Sequence, residues 1–125
     1  MNITDHPTYA AMKEKQELQL MRDAAREGLD NEFGIFSETV HEYFRLNAEL
    51  LLSKHKDYGP KNISSAPGGA INGLRVRLHD KLARINHLID SGKTPENEAL
   101  RDSFIDLANY ATIGLLVLDN KWPND

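Results

Sequence analysis

Apolar residues recur along this chain at the spacing of helices rather than with the alternation of strands. The strongest row lies between Ile71 and Ile89, where apolar positions follow one another in steps of three or four residues. Positions with that spacing lie on one face of a helix. The row consists of Ile71, Leu74, Leu78, Leu82, Ile85 and Ile89. The apolar run from Leu115 to Leu118 is as short as a buried strand, but it continues a helical pattern, so the sequence predicts an all-α fold.

Two helices are predicted before this one. The first extends from Pro7 to Asp30 with a weak apolar row, which is typical of a helix that frays or packs on a partner subunit. The second has Ser37 as its predicted N-cap. It ends at Gly59-Pro60, because glycine adopts the left-handed cap conformation and proline cannot continue a helix. Its apolar stripe consists of Phe36, Val40, Phe44 and Leu51, widened by Tyr43 and Leu50.

The composition of residues 61–69 predicts a loop, and the last predicted helix has apolar residues on two sides. This helix starts at Thr94-Pro95-Glu96, which supply an N-cap, a proline in the first helical position and an acid in the first turn. Its predicted core row is Leu100, Phe104, Leu107, Ala111, Leu115 and Leu118. The opposite side carries Ile105, Ile113 and Leu116. A purely solvated side would not hold them, so we expect another helix or a second subunit to cover it, as in a homodimer or homotetramer.

Size and composition indicate one globular domain. The chain has 125 residues, of which 40% are hydrophobic and 27% charged. We expect residues 1–35 to form an N-terminal helix or arm, and residues 36–125 to form a helical domain like a four-helix bundle. Cysteine is absent, which excludes a thiolate metal site and fits a cytoplasmic location. No segment has the ~18 uninterrupted apolar residues of a membrane span, so no membrane partner is expected.

The charge of the chain is unevenly distributed. The net charge is -4, yet residues 54–84 carry seven cations against Asp57 and Asp80, a local charge of +5. The cations are Lys54, Lys56, Lys61, Arg75, Arg77, Lys81 and Arg84. A local basic segment in an acidic protein favours a small anionic ligand rather than duplex DNA. The alternative is chance clustering on solvated helix faces.

Three aspartates form a candidate metal site. Asp102 and Asp106 lie at i and i+4 on the second apolar side of the last helix, where their charges repel unless a cation neutralises them. Mg²⁺ takes one or two carboxylates and leaves positions open for substrate phosphates. Asp80, in a row with Arg77 and Arg84, is expected to face the same acids. The alternatives are ion pairs between these acids and nearby arginines, and a surface ion-pair ladder along the row of Asp80.

A second candidate site lies where the second predicted helix ends. The segment is Lys54-His55-Lys56-Asp57-Tyr58-Gly59-Pro60-Lys61-Asn62. Its cations suit phosphate, Tyr58 suits stacking on a base, and the amide of Asn62 suits the edge of a base. The alternative is an ordinary helix end, where lysines favour the negative end of the helix dipole. The spacing of these residues leaves both open.

Three blocks of this sequence resemble the phage-associated nucleotide modification associated domain. The blocks are Lys54-His55-Lys56-Asp57-Tyr58-Gly59 with Asn62, Gly73-Leu74-Arg75-Val76-Arg77-Leu78-His79-Asp80-Lys81-Leu82-Ala83-Arg84 with Asn86, and Asp102-Ser103-Phe104-Ile105-Asp106-Leu107-Ala108-Asn109-Tyr110. The resemblance spans about residues 36–118. That domain is similar to the MazG-like, all-α nucleoside triphosphate pyrophosphohydrolases. The resemblance therefore implies an oligomeric helical bundle that uses Mg²⁺ to cleave an NTP or dNTP to the monophosphate and pyrophosphate.

The MazG-like group holds its metal with a Glu-x-x-Glu pair and a Glu-x-x-Asp pair. Asp106 matches the last of these acids, Asp102 is displaced by one residue from the next, and Asp80 matches one acid of the first pair. The other acid of that pair is missing, so the resemblance implies a three-carboxylate site. The implied substrate-binding residues are Lys54, Lys56, Asp57, Tyr58, Lys61, Asn62, Arg77, Lys81, Arg84, Asn109 and Tyr110.

Two other functions remain open at this point. One is a non-catalytic nucleotide-binding or accessory protein of a phage DNA-modification pathway, which would have kept the binding groups and lost hydrolysis. The other is an oligomeric helical adaptor without a nucleotide ligand.

Overall fold

The computed structural model of the chain describes residues 7–26, 31–91 and 97–124. Every regular element within those ranges is a helix, which confirms the predicted all-α fold. In chain order the helices are α1 (Pro7–Arg26), α2 (Glu32–Tyr58), α3 (Lys61–Ser64), α4 (Ala70–Asp90) and α5 (Asn97–Leu118). The four predicted helices correspond to α1, α2, α4 and α5. The predicted end of the first helix at Asp30 and the predicted start of the last at Thr94-Pro95-Glu96 lie outside the described residues.

The predicted N-cap of α2 is wrong by six residues. The helix begins at Glu32, and Ser37 is buried inside it. Asn31 acts as the N-cap instead, because its Oδ1 accepts a hydrogen bond from the backbone N–H of Gly34 at 2.5 Å. An asparagine side chain that satisfies the amide three residues later is a favourable N-cap. Because Asn31 caps the helix, the hydroxyl of Ser37 has no capping role and belongs to a residue inside the helix.

The end of α2 follows the prediction. Gly59 has a φ of 71° and donates its backbone N–H to the carbonyl of His55 at 2.8 Å, which closes the helix in the left-handed conformation. The predicted loop at 61–69 contains one helical turn, α3. That turn forms because the carbonyl of Pro60 accepts hydrogen bonds from Ile63 and Ser64 at 3.1 and 3.0 Å. It places Ile63 in the core.

Helices α4 and α5 pack along two rows with heptad-like spacing. The row on α4 is Leu74, Leu78, Lys81, Ile85 and Leu88, all buried or half-buried. The row on α5 is Ala99, Ser103, Asp106, Tyr110, Ile113 and Val117, also buried or half-buried. Lys81 contacts Asp106 and Arg77 contacts Tyr110, so the helices run antiparallel. Between these mostly apolar rows, Lys81 and Asp106 therefore form an ion pair.

The core cluster lies at the end of this seam beside α3. Ile63, Leu74 and Ile113 are its buried members. The half-buried residues packed against it are Leu51, Ala70, Tyr110, Val117 and Trp122. The indole Nε1 of Trp122 donates a hydrogen bond to the carbonyl of Pro60 at 3.1 Å, which ties the C-terminal segment to the turn between α2 and α3.

The predicted core row of the last helix is half-buried at Leu100 and Leu107 and wrong at its other four positions, which are exposed. Phe104, Leu115 and Leu118 in that row are 55%, 61% and 66% exposed, whereas Ile113 on the opposite side is buried. Small residues explain the reversal, because Ala99 and Ser103 let α5 pack closely on α4 although they carry little hydrophobic surface. The strongest row, on α4, is buried at Leu74 and Ile85 and half-buried at Leu78, and its other members, Ile71, Leu82 and Ile89, are exposed. The predicted apolar stripe of the second helix is also wrong at four positions, since Phe36, Tyr43, Phe44 and Leu50 are exposed.

The chain divides into two compact units, Met1–Leu46 and Asn47–Asp125. The first contains α1 and the beginning of α2, and the second contains the core cluster described above. Within the described ranges, none of the helices is long and apolar enough to cross a membrane.

Candidate functional site

A pocket of about 320 Å³ opens in the second unit, where the end of α2 and the turn α3 meet α4 and α5. Its lining combines cations, aromatic rings and amides with a few apolar side chains. The lining residues are Leu51, Lys54, His55, Tyr58, Gly59, Asn62, Ile63, Arg77, Lys81, Asp106, Asn109, Tyr110, Ile113 and Trp122.

Asp106 is the acidic centre of this pocket. Its Oδ1 lies 3.2 Å from the Nζ of Lys54 on α2, and its Oδ2 lies 2.8 Å from the Nζ of Lys81 on α4. The carboxylate side chain is 17% exposed. Burial alone would raise its pKa, but the hydrogen bonds and charges of Lys81 and Lys54 outweigh burial and hold the pKa of Asp106 below the usual 3.8. Asp106 is therefore ionised at neutral pH, with an ammonium group on each oxygen.

Arg77 is the third cation of the pocket. One guanidinium nitrogen donates a hydrogen bond to the carbonyl of Asn62 at 3.2 Å. The guanidinium carbon lies 5.7 Å from the centre of the Tyr110 ring, within the range of a cation–π contact. With Lys54 and Lys81 against Asp106, the pocket has three cations and one carboxylate. Its charge is +2 when His55 is neutral, which makes it a site for an anion.

Aromatic rings lie at two places in the pocket. Tyr58, in the last turn of α2, is 70% exposed, so one face of its ring is open to a ligand. His55 and Trp122 meet edge to face, with ring centroids 5.0 Å apart and planes at 78°. His55 lies in the candidate segment 54–62 but was given no role of its own, and Trp122 was missed, because a tryptophan about 60 residues after a helix forms no spacing pattern with it. The only feature of the sequence that could have indicated these two residues is their type, since both are aromatic and can form hydrogen bonds.

Asn109 fixes α5 against α2 beside the pocket. Its Nδ2 donates a hydrogen bond to the carbonyl of Asn47 at 3.2 Å. That carbonyl belongs to α2, so the side-chain amide of Asn109 forms a hydrogen bond between two helices rather than within α5. The contact holds the α2 segment that carries Lys54 and Tyr58 next to Asp106.

The structure brings together eight of the fourteen residues that the sequence assigned to the site. The eight are Lys54, Tyr58, Asn62, Arg77, Lys81, Asp106, Asn109 and Tyr110. The other six are exposed and do not line the pocket: Lys56, Asp57, Lys61, Asp80, Arg84 and Asp102. Among the described residues, no three His, Asp or Glu side chains are grouped to hold a metal ion together. Asp106 thus enters the site without the two acids predicted to join it.

Comparison with known protein families identifies one that matches this chain. The family profile described as Nucleotide modification associated domain 1 matches residues 54–118, just over half of the chain. The matched range contains every pocket residue except Leu51 and Trp122. No curated protein and no solved structure matches the chain. The chain therefore belongs to the family of nucleotide modification associated domain 1.

Proposed function

We propose that this protein binds a nucleotide in the pocket between α2, α4 and α5. The observation that carries the proposal is the pair of ammonium groups, Lys54 and Lys81, held on one carboxylate in a pocket that the guanidinium of Arg77 also lines. Each ammonium has three N–H donors and gives one to Asp106, so donors remain for phosphate oxygens. Phosphate is the anion that the family's association with nucleotide modification suggests.

The aromatic residues of the pocket supply the second half of a nucleotide site. The open face of Tyr58 can stack on a base, a contact worth about 1–3 kcal/mol per base in single-strand binding proteins. The side chain of Asn62 offers an amide for the edge of a base or for a sugar hydroxyl. Phosphate and base would thus contact different walls of the same pocket.

A second candidate function is the hydrolysis of an NTP or dNTP to the monophosphate and pyrophosphate. It is supported by the ionised carboxylate of Asp106, which can orient an attacking water among cations that stabilise phosphate charge. Of the three acids predicted to hold Mg²⁺, only Asp106 lines the pocket, and both its oxygens are paired with lysines. These residues do not fit a resident three-carboxylate Mg²⁺ site. The hydrolase candidate therefore takes Mg²⁺ as part of its Mg·NTP substrate.

Several finer predictions belong with this proposal. The relationship to the MazG-like pyrophosphohydrolases and the origin in a phage rest on the resemblance of the three sequence blocks. A homodimer or homotetramer is supported by the apolar residues that α5 exposes. The cytoplasmic location stays a prediction from the absence of cysteine.

Titration of nucleotides into the protein tests the proposal, and two lysines of α2 provide a matched pair of variants. Lys54 lines the pocket, whereas Lys56 is exposed and lies outside it. We expect Lys54→Met to weaken nucleotide binding about tenfold, since it removes a charge-assisted donor. Lys56→Met should leave the dissociation constant within about twofold. Isothermal titration calorimetry with a panel of NTPs, dNTPs and monophosphates measures both.

Failure of every nucleotide to bind the unmodified protein would refute the proposal, and so would equal losses in the two variants. Chromatography of the same mixtures, with Mg²⁺ present, separates the two candidate functions. Monophosphate and pyrophosphate as products favour the hydrolase, and binding without any product favours the accessory protein.

A further inference from the structure

We propose that the ligand of this pocket is a nucleoside monophosphate bound without a divalent metal ion. The inference rests on the proposed function and narrows it, because it names the phosphate group that the cations receive. Its basis is the net charge of the pocket, the pairing of both Asp106 oxygens with lysines and the size of the cavity.

The charge of the pocket matches a phosphate monoester. Three cations, Lys54, Arg77 and Lys81, line the pocket together with one carboxylate, which leaves a charge of +2. A phosphate monoester carries about −1.5 to −2 at pH 7, because its second pKa is near 6. A metal-free triphosphate carries roughly twice that charge and would leave part of it unneutralised inside a partly desolvated pocket. Charge alone therefore leaves two ligands, the monophosphate and the complex of Mg²⁺ with a triphosphate.

The surroundings of Asp106 favour the metal-free ligand. A protein-bound Mg²⁺ that coordinates a nucleotide is held by one or two carboxylates. Here both oxygens of the pocket carboxylate already accept ammonium groups, at 3.2 Å from Lys54 and 2.8 Å from Lys81. A divalent ion on Asp106 would lie next to both ammonium groups and be repelled by them. The two lysines neutralise the charge of Asp106, which a metal ion would otherwise do.

The size of the pocket points the same way. Ligand pockets span roughly 300–1,000 Å³, so a cavity of about 320 Å³ is at the small end of that range. Tyr58 at the rim and the cations around Asp106 share this single cavity. A nucleoside monophosphate would place its base on Tyr58 and its phosphate on the cations, and so fill the pocket. Two more phosphates would extend past the cations.

The single tryptophan of the chain provides the readout. Trp122 lines the pocket, and the sequence contains no other tryptophan, so its fluorescence reports on this site alone. We would titrate the protein with the nucleoside and its mono-, di- and triphosphate, each in EDTA and in excess Mg²⁺, and confirm the constants by calorimetry. The expected order has the monophosphate binding tightest, with a dissociation constant that EDTA does not change. The uncharged nucleoside should bind at least about tenfold more weakly.

A variant adds an independent test. Lys81→Met should weaken monophosphate binding about tenfold and leave nucleoside binding within about twofold, since only the phosphate contact is lost. A triphosphate that binds as tightly as the monophosphate, or a Mg²⁺ requirement for tight binding, would overturn the inference and leave the proposed nucleotide site standing. If none of these compounds binds, the proposed function itself is refuted.

Discussion

Asp106 illustrates how one residue sets the chemistry of a packed seam. It occupies a heptad-like position of α5 between Ser103 and Tyr110, where an apolar residue would give the more stable pair of helices. Its charge is retained at little cost because Lys54 and Lys81 reach it from two other helices. A charged group at that place adds no hydrophobic burial, so its contribution to stability comes from its pairing with the two lysines.

The low pKa of Asp106 predicts a contribution to stability that depends on pH. A carboxylate whose pKa is lower in the folded than in the unfolded chain stabilises the fold above its unfolded pKa of about 3.9. That contribution is lost as the pH falls through the folded pKa, which the two lysines hold below 3.8. We expect Asp106→Asn to lower the free energy of unfolding by about 1 kcal/mol at pH 7. The difference from the unmodified protein should shrink as the pH falls below 3.8.

Urea denaturation at pH 7, 4 and 2 measures this difference. Glu42→Gln is the comparison, because Glu42 has a pKa lowered by Arg45 but does not line the pocket. A deficit of Asp106→Asn that stayed constant from pH 7 to pH 2 would show that lost packing, rather than lost charge, destabilises the variant.

At the residue scale, the sequence identified Asp106 but not its partners. Helical spacing placed Asp102 and Asp106 on one side of the last helix, and the structure separates them, with Asp102 exposed and Asp106 half-buried. One residue on a helix turns its direction by about 100°, so four residues leave a 40° offset that decides which acid enters a narrow seam. The pairing of Lys54 with Asp106 spans 52 positions and depends on how α2 packs, which no local pattern encodes.

Among the helices, ends were predicted better than faces. Glycine and proline at the end of α2 act through backbone geometry, which is local and therefore readable from the sequence. Faces depend on partners: the most apolar row of α5 is exposed at four of its six positions, and a row with small and polar members packs on α4. Two helices approach closely where their side chains are small, and a pattern based on hydrophobic residues alone does not identify such positions.

The contact between α4 and the turn before it predicts opposite effects of alanine at two helical glycines. A Cβ on Gly73 would lie 2.6 Å from the Cβ of Ala66, whereas a Cβ on Gly114 would have no atom within 4 Å. Alanine inside a helix is more stable than glycine by about 0.5–1 kcal/mol. Gly114→Ala should therefore raise the melting temperature by a few degrees. Gly73→Ala should lower it, because the overpacked contact costs about 1–3 kcal/mol.

Thermal unfolding followed by circular dichroism compares the two variants directly. Both replace a helical glycine with the same residue, so the difference between them isolates the contact with Ala66. Stabilisation of similar size in both variants would mean that the turn containing Ala66 yields freely and does not fix the start of α4.

On the scale of the whole molecule, the described chain exposes an apolar row that it does not use internally. The row consists of Phe104, Ala108, Ala111, Leu115 and Leu118 on α5, all exposed. Its steps of four and three residues match those of the packed row on the other side of the same helix. Two-sided apolar character of this helix was predicted from the sequence, although the sides were assigned in reverse.

This row predicts self-association through α5. Large apolar side chains at its two ends and alanines at its middle would let a second copy of the helix approach closely, as Ala99 and Ser103 do on the α4 side. We expect light scattering to give at least twice the 14.1 kDa mass of the chain at micromolar concentration. Leu115→Glu should convert the protein to monomers while the helical circular dichroism is kept, because a charge in an apolar seam loses its hydration. Ala83→Glu, which adds the same charge at an exposed position of α4, should not change the mass. A monomeric mass for the unmodified protein would leave this row of α5 facing solvent and remove the support for an oligomer.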